Sequence, residues 1–304
     1  MQDQADRLRQ IIDNIKIKQA YSQSNSQSSP KKRSSKVITV TSGKGGVGKT
    51  NVTINLAIAL SELGLRVIIL DADFGLANID ILFGIVPKYT LADVIRNQKN
   101  ILEVLSDGPS NIKFISGGSG VEELVRLERE QVQKFIDNIG LLDKLFDIIL
   151  IDTGAGLSDN VMSFVMAADE ILLVTTPEPT SITDAYALIK MVSHREKDKL
   201  IRLVVNKAES AKEANDILIK LSIVAEKFLA LKLHPLGYIL QDETVIKAVK
   251  LQQPFSMSFP KSQASKHIKE ISRRLIEKGD DGREPEASGI RGFVSRLVGF
   301  IGTY

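Results

Sequence analysis

Four glycines, two lysines and a threonine crowd into Ser42-Gly43-Lys44-Gly45-Gly46-Val47-Gly48-Lys49-Thr50. That mixture suits one kind of chemistry, the holding of phosphate. Glycines let consecutive backbone N–H groups turn inward, and a helix starting just behind them adds partial positive charge. Lys49 is placed to reach β- and γ-phosphates, and the Thr50 hydroxyl to ligate Mg²⁺. Gly43, Lys44, Gly45, Gly46, Val47, Gly48 and the first helical residue, Asn51, complete the cradle. Carboxylates that could act on the bound group stand at the ends of two apolar runs. Arg66–Leu70 runs into Asp71-Ala72-Asp73, and Ile148–Ile151 into Asp152. Asp152 would hold Mg²⁺ through water and hydrogen-bond Thr50. Asp73 would position an attacking water and help hold the metal, with Asp71 in support.

These groups need a scaffold that aims strand ends at one crevice. Val37–Thr41 is a short β-branched strand before the loop, and Asn51–Leu60 reads as the helix after it. Seven strand-like runs alternate with helices along the chain, which predicts a doubly wound, mostly parallel α/β sheet. Ligands bind outside the carboxyl ends of such strands. The 304 residues, 43% of them hydrophobic, suffice for one large domain with appendages. The absence of cysteine excludes disulfides, thiolate-bound zinc and iron–sulfur clusters. A net charge of +3 gives no general affinity for polyanions. No run of about 18 apolar residues exists to span a membrane, and the polar, charged start reads as lacking a secretory signal.

Composition divides the chain into five parts: a helix over 1–21, a Ser/Gln-rich linker over 22–35, the domain over 36–277, a polar linker over 278–289, and a helix over 290–304. In the first helix Ala5, Leu8, Ile12 and Ile15 share a face, with Asp3 as its cap. In the last, Ile290, Phe293, Val294, Leu297, Val298, Phe300 and Ile301 fall within an arc of roughly 160° at 100° per residue. Arginines, serine and glycines fill the other side. A short helix with bulky apolar residues and only basic charge suits the interface of an anionic membrane. The same face could instead dock on the domain, and the two could alternate. Two such helices on one dimer would bind lipid with avidity, since the second insertion is intramolecular.

The spacing Lys44…Lys49 resembles the deviant Walker A motif of the MinD/ParA class of P-loop ATPases. The resemblance implies an ATP- and Mg²⁺-dependent homodimer in which Lys44 reaches the nucleotide of the other subunit. Lys44, Lys49 and Asp73 are then the residues acting in catalysis. Asp71 to Asp80 is similar to that class's switch I, with Ala77 where division-site MinD proteins usually carry arginine. Gly154 matches the switch II glycine. Asn206 sits where the class reads the adenine edge, and its amide offers both donor and acceptor. The run Asn206-Lys207-Ala208-Glu209 lacks the aspartate that reads guanine, which favours ATP. Asp242 and Val245 resemble a segment beside the base, although Asp242 reads equally as a helix cap. Asp3-Gln4-Ala5-Asp6-Arg7-Leu8-Arg9 resembles the DQAxxLR element of the FlhG-type (FleN-type) flagellar regulators. Asp3, Gln4, Leu8 and Arg9 would then meet an FlhF-like GTPase of the signal-recognition-particle type, with Gln4 near its nucleotide. The resemblance further implies flagellar switch (C-ring) proteins as partners, no DNA, and a cytoplasmic protein reversibly peripheral on the inner face of the cell membrane. A division-site MinD and a ParA-type DNA-partition ATPase are the alternatives.

Overall fold

In the computed structural model, residues 34–73, 78–118, 123, 128–277 and 289–301 are described. The segment 1–21 expected to be helical, with Asp3, Gln4, Leu8 and Arg9, the position Ala77 and the residues 278–288 expected to form a linker lie outside them. The strands are β1 (Lys36–Thr41), β2 (Val67–Ala72), β3 (Ser106–Asp107), β4 (Lys113–Ser116), β5 (Ile148–Thr153), β6 (Glu170–Thr175), β7 (Leu200–Ala208) and β8 (Leu233–Leu240). The helices are α1 (Lys49–Glu62), α2 (Asn78–Phe83), α3 (Leu91–Ile95), α4 (Arg129–Ile139), α5 (Leu142–Leu145), α6 (Asp159–Ala167), α7 (Pro179–Arg195), α8 (Ala211–Leu229), α9 (Glu243–Lys250), α10 (Phe255–Ser258), α11 (Gln263–Ile276) and α12 (Ile290–Ile301). None of these helices is long and apolar enough to cross a membrane.

One sheet carries the order β3-β4-β2-β5-β1-β6-β7-β8. Every pairing is parallel except β3 with β4. The doubly wound α/β sheet expected from the alternation of runs is therefore present, with one addition. β3 has only two residues, too few to show an apolar period, and it pairs as an antiparallel edge. The central strands β2, β5 and β6 are buried along their whole length, which explains their continuous Val/Ile/Leu runs. Along β1, Ile38 and Val40 face a core beneath α1 and α11, while Val37 faces the opposite core beneath α4, α6 and α12. Alternation across the strand thus fills both layers.

The C-terminal helix is docked. Ile290, Phe293, Val294 and Leu297 are buried against α6, α4, α5 and β1, with the Phe293 ring 6.0 Å from that of Phe164. Val298 and Phe300 pack at the margin of the same core, and the side chain of Ile301 lies outside the described residues. Each fully buried apolar side chain of this size contributes roughly 1.5–3 kcal/mol. The apolar arc read from the sequence is the docking face.

Two carboxylates fix where this helix starts. Asp143 accepts hydrogen bonds from the Ile290 N–H (2.8 Å) and the Arg291 N–H (3.5 Å), and also from the Ser35 hydroxyl at the head of the domain. Asp169 accepts from the Val37 N–H (3.0 Å), the Gly289 N–H (3.4 Å) and Arg296 Nη2 (2.9 Å), while Arg296 Nε donates to the Ala167 carbonyl. Burial pushes the Asp169 carboxyl above the usual carboxylate range, against these hydrogen bonds and Arg296. Gly289 has φ 92°, and a Cβ there would lie 2.6 Å from Asp143 Oδ1. Only glycine lets Asp143 approach the helix start this closely.

Candidate active site

The loop after β1 opens α1 with Gly48 as its cap residue. Gly48 has φ 89°, and a Cβ there would stand 2.5 Å from Asn206 Nδ2. Both the left-handed turn and the near contact require glycine, so the motif's glycine spacing is a statement about backbone shape. From this start α1 points two consecutive side chains, Lys49 and Thr50, at the end of β5.

Asp152 is the hub of the site. It is fully buried, and it takes a salt bridge from Lys49 Nζ at 3.0 Å and a hydrogen bond from Thr50 Oγ1 at 2.7 Å. Thr53 Oγ1 is 2.8 Å from Asp152 Oδ1 and 3.0 Å from the Lys49 carbonyl. The expected Thr50–Asp152 bond is therefore present. Thr53 was not among the expected residues, although it stands four positions after Lys49, and such residues share a helix face. Lys49 is itself only 7% exposed, so this ion pair sits where solvent screens little.

β2 and β5 run in register, so Asp71 lies directly opposite Asp152. Burial, then the negative charge of Asp152, pushes the Asp71 carboxyl up to about 7, against hydrogen bonds from the Asp73 and Ile79 N–H groups. Asp73 follows the end of β2 and faces the loop after β5: a Cβ on Gly154 would stand 3.5 Å from Asp73 Oδ1. Asp71, Asp73, Asp152 and Gly154 are thus gathered at one end of the sheet. A small cavity behind Asp71 reaches Phe293 and Leu297 of α12, so the docked helix and the site share a wall.

Lys44 lies on the rim, where Nζ contacts Glu178 Oε2 (2.7 Å) and Thr180 Oγ1 (2.8 Å) at the head of α7. Its hydrogen bond and charge hold the Glu178 carboxyl below the usual range. The pair is exposed, so salt and competing anions weaken it. Asn206 donates Nδ2 to the Val47 carbonyl at 2.7 Å. Asp242 caps α9: it accepts from the Thr244 N–H (2.9 Å), the Thr244 hydroxyl (2.6 Å) and the Ala264 N–H (3.1 Å). Burial acts to raise its carboxyl, and these hydrogen bonds outweigh it and lower it. The cap reading of Asp242 is the one with contacts; Val245, half-buried, packs against the core beneath α1.

The donor set fits a nucleotide triphosphate with Mg²⁺. Thr50 and Asp152 are oxygen donors, as a hard cation requires, and a buried lysine stands beside a loop of turned backbone N–H groups. Among the described residues no cluster of three or more His, Cys, Asp or Glu could hold a metal by itself.

Comparison with known proteins agrees with this geometry. The ParA family, described as NUBPL iron-transfer P-loop NTPase, matches residues 33–276. The antiactivator FleN of Pseudomonas aeruginosa is 45% identical over 79% of this chain and 85% of its own length. The flagellum site-determining protein YlxH of Helicobacter pylori is 34% identical over 99% of this chain and all of its own. Among solved structures, the cell division ATPase MinD of Pyrococcus furiosus is 27% identical with a TM-score of 0.62, covering 79% of this chain and 98% of that one.

Proposed function

The chain belongs to the MinD/ParA family of P-loop ATPases, and on that premise we propose that it is a dimerising, membrane-associating regulator of flagellar number and placement, of the FlhG type. The observation that carries this reading is the 45% identity with FleN over 79% of the chain. The similarity to YlxH, 34% identity over 99% of the chain, supports the same reading.

At the site, the loop N–H groups and Lys49 bind the phosphates, and Thr50 and Asp152 would hold Mg²⁺, which would supply charge neutralisation at the phosphoryl group. Asp73 orients the attacking water. Lys44 leaves Glu178 and Thr180 to contact the nucleotide of a second copy, which makes the homodimer depend on ATP. Asn206 meets the adenine edge with its carbonyl oxygen, while its amide stays on the loop. Asp242 lies beside the base as the cap of α9.

The C-terminal helix exchanges its groove for an anionic membrane surface when two copies pair. Ile290, Phe293, Val294, Leu297, Val298, Phe300 and Ile301 are the lipid-facing set. The docked state then sets the threshold, and Asp143 is a handle on it: it bonds the backbone N–H groups of Ile290 and Arg291, so replacing it leaves the apolar and basic side chains of the helix in place. Loss of a helix cap costs about 1 kcal/mol and up to about 2. Asp143→Ala should therefore raise liposome co-sedimentation without nucleotide by about 5- to 30-fold. Unchanged co-sedimentation would count against exchange between groove and membrane.

The residues 1–21 form the partner element, tethered by 22–35, and act on an FlhF-like GTPase through Gln4. Flagellar switch proteins are further partners. The deciding experiment measures GTP turnover by that GTPase with the wild-type chain and with Gln4→Ala. Stimulation by the wild type alone is expected; equal turnover with both would sink the flagellar assignment of the N-terminal element.

A further inference from the structure

The end of β7 grips the phosphate loop twice. Asn206 Nδ2 donates to the carbonyl of Val47, and Lys207 Nζ donates to the carbonyl of Gly46, both at 2.7 Å. Consecutive residues of a strand point to opposite faces, so two neighbours do not ordinarily reach one loop. Here the strand is broken to allow it. Lys207 has φ 59°, a left-handed conformation that side chains rarely adopt, and the β7–β8 register shifts between Val205 and Ala208. Such irregularities re-aim side chains at the edges of sites.

The peptide unit is planar, and the C=O of one residue points opposite to the N–H of the next. Holding the carbonyls of Gly46 and Val47 toward β7 therefore turns the N–H groups of Val47 and Gly48 away from it, into the concave side of the loop. These are the donors a phosphate cradle needs, and the two side-chain bonds to the loop carbonyls set their orientation. Asn206 is 8% exposed and well placed to hold its bond, whereas Lys207 is at the surface, so its bond is not explained by burial.

We propose that Lys207 is a positioning residue for ATP binding: with Asn206 it clamps successive carbonyls of the phosphate loop and presets the N–H groups that receive the phosphates. Lys207 acts through the loop and does not itself touch the nucleotide. Preorganisation of this kind lowers the cost of binding. It applies to ADP and ATP alike, because the loop is the same for both.

The proposal rests on the ATPase reading of the site, and one arm of its test needs no nucleotide. Hydrogen exchange at the Val47 and Gly48 amides of the nucleotide-free chain should quicken in Lys207→Ala and return to the wild-type rate in Lys207→Arg. In the same variant the Kd for ADP and for ATP should both rise about tenfold. The KM for ATP should rise with them and kcat fall by less than about twofold, with the melting temperature unmoved. Lys207→Met keeps the apolar stem and should behave as Lys207→Ala. Weakened binding with unchanged exchange would mean that Lys207 contacts the nucleotide directly, and would overturn the clamp. Altered exchange with wild-type affinity would overturn its role in binding, and a fall in melting temperature matching the loss of affinity would make it a stability residue only.

Discussion

Asp152→Asn should lower ATP turnover by at least about 100-fold, the scale set by removing one preorganised group that stabilises developing charge. The structure explains why a near-isosteric change would cost so much. One carboxylate receives Lys49, Thr50 and Thr53 at 3.0, 2.7 and 2.8 Å. An amide offers one accepting oxygen in place of two, and its NH₂ would confront either an ammonium or a hydroxyl donor. The substitution also strips the negative charge from a buried lysine, and breaking a buried pair from one side typically costs 3–5 kcal/mol. Relief of the repulsion between Asp152 and Asp71 offsets part of that loss. Steady-state turnover and the Mg²⁺ dependence of nucleotide affinity, measured together, check the prediction. A variant that keeps a tenth of the wild-type rate, with unaltered Mg²⁺ dependence, would remove Asp152 from its place at the centre of the site.

Asp71 gives the second large effect, and its sign differs from that of an ordinary surface carboxylate. Its folded-state value, about 7, lies above the ordinary 3.8, so the folded chain binds this proton more tightly than the unfolded chain does. The resulting stabilisation is fully present below 3.8 and is lost as pH rises through about 7. That interval is worth up to roughly 4 kcal/mol, a large share of the stability of a typical domain. Nucleotide-free protein should therefore become less stable between pH 5 and pH 8, and Asp71→Asn should flatten that dependence and be the more stable form at pH 8. Denaturant midpoints at both pH values measure this. A wild type as stable at pH 8 as at pH 5, with no gain from the substitution, would show that Asp71 is comfortably ionised when folded.

The chemistry of the site was legible because it is written in short local patterns. A glycine spacing dictates backbone shape, and an apolar run that ends in aspartate dictates a carboxylate at a strand end. Those patterns point to Lys49, Thr50, Asp73 and Asp152. What joins them is not local. Thr50 and Asp152 are 102 positions apart, and Asp143 and Ile290 are 147 apart. Glu178 and Thr180 as the partners of Lys44, Asp143 and Asp169 as the fixings of α12, and Lys207 on the loop left no mark in sequence spacing. Thr53 did leave one, as the next residue on the face of Lys49. The C-terminal helix shows the limit most plainly. Periodicity reports that one face avoids water, and lipid and protein core satisfy that face equally. Only the three-dimensional arrangement around Phe164 and Phe293 shows which of them covers it here.

Asp143 carries a mechanical consequence. Its carboxylate holds Ser35, where the chain enters the domain, and Ile290, where the last helix begins. Asp169 repeats the arrangement one step inward with Val37 and Gly289. A load pulling on the chain ahead of Ser35 falls on the β1–β5 ladder and, through the Ser35 hydroxyl, on the carboxylate that also anchors the first turn of α12. The two ends of the domain thus share their fastenings, so a change at either carboxylate acts on both at once.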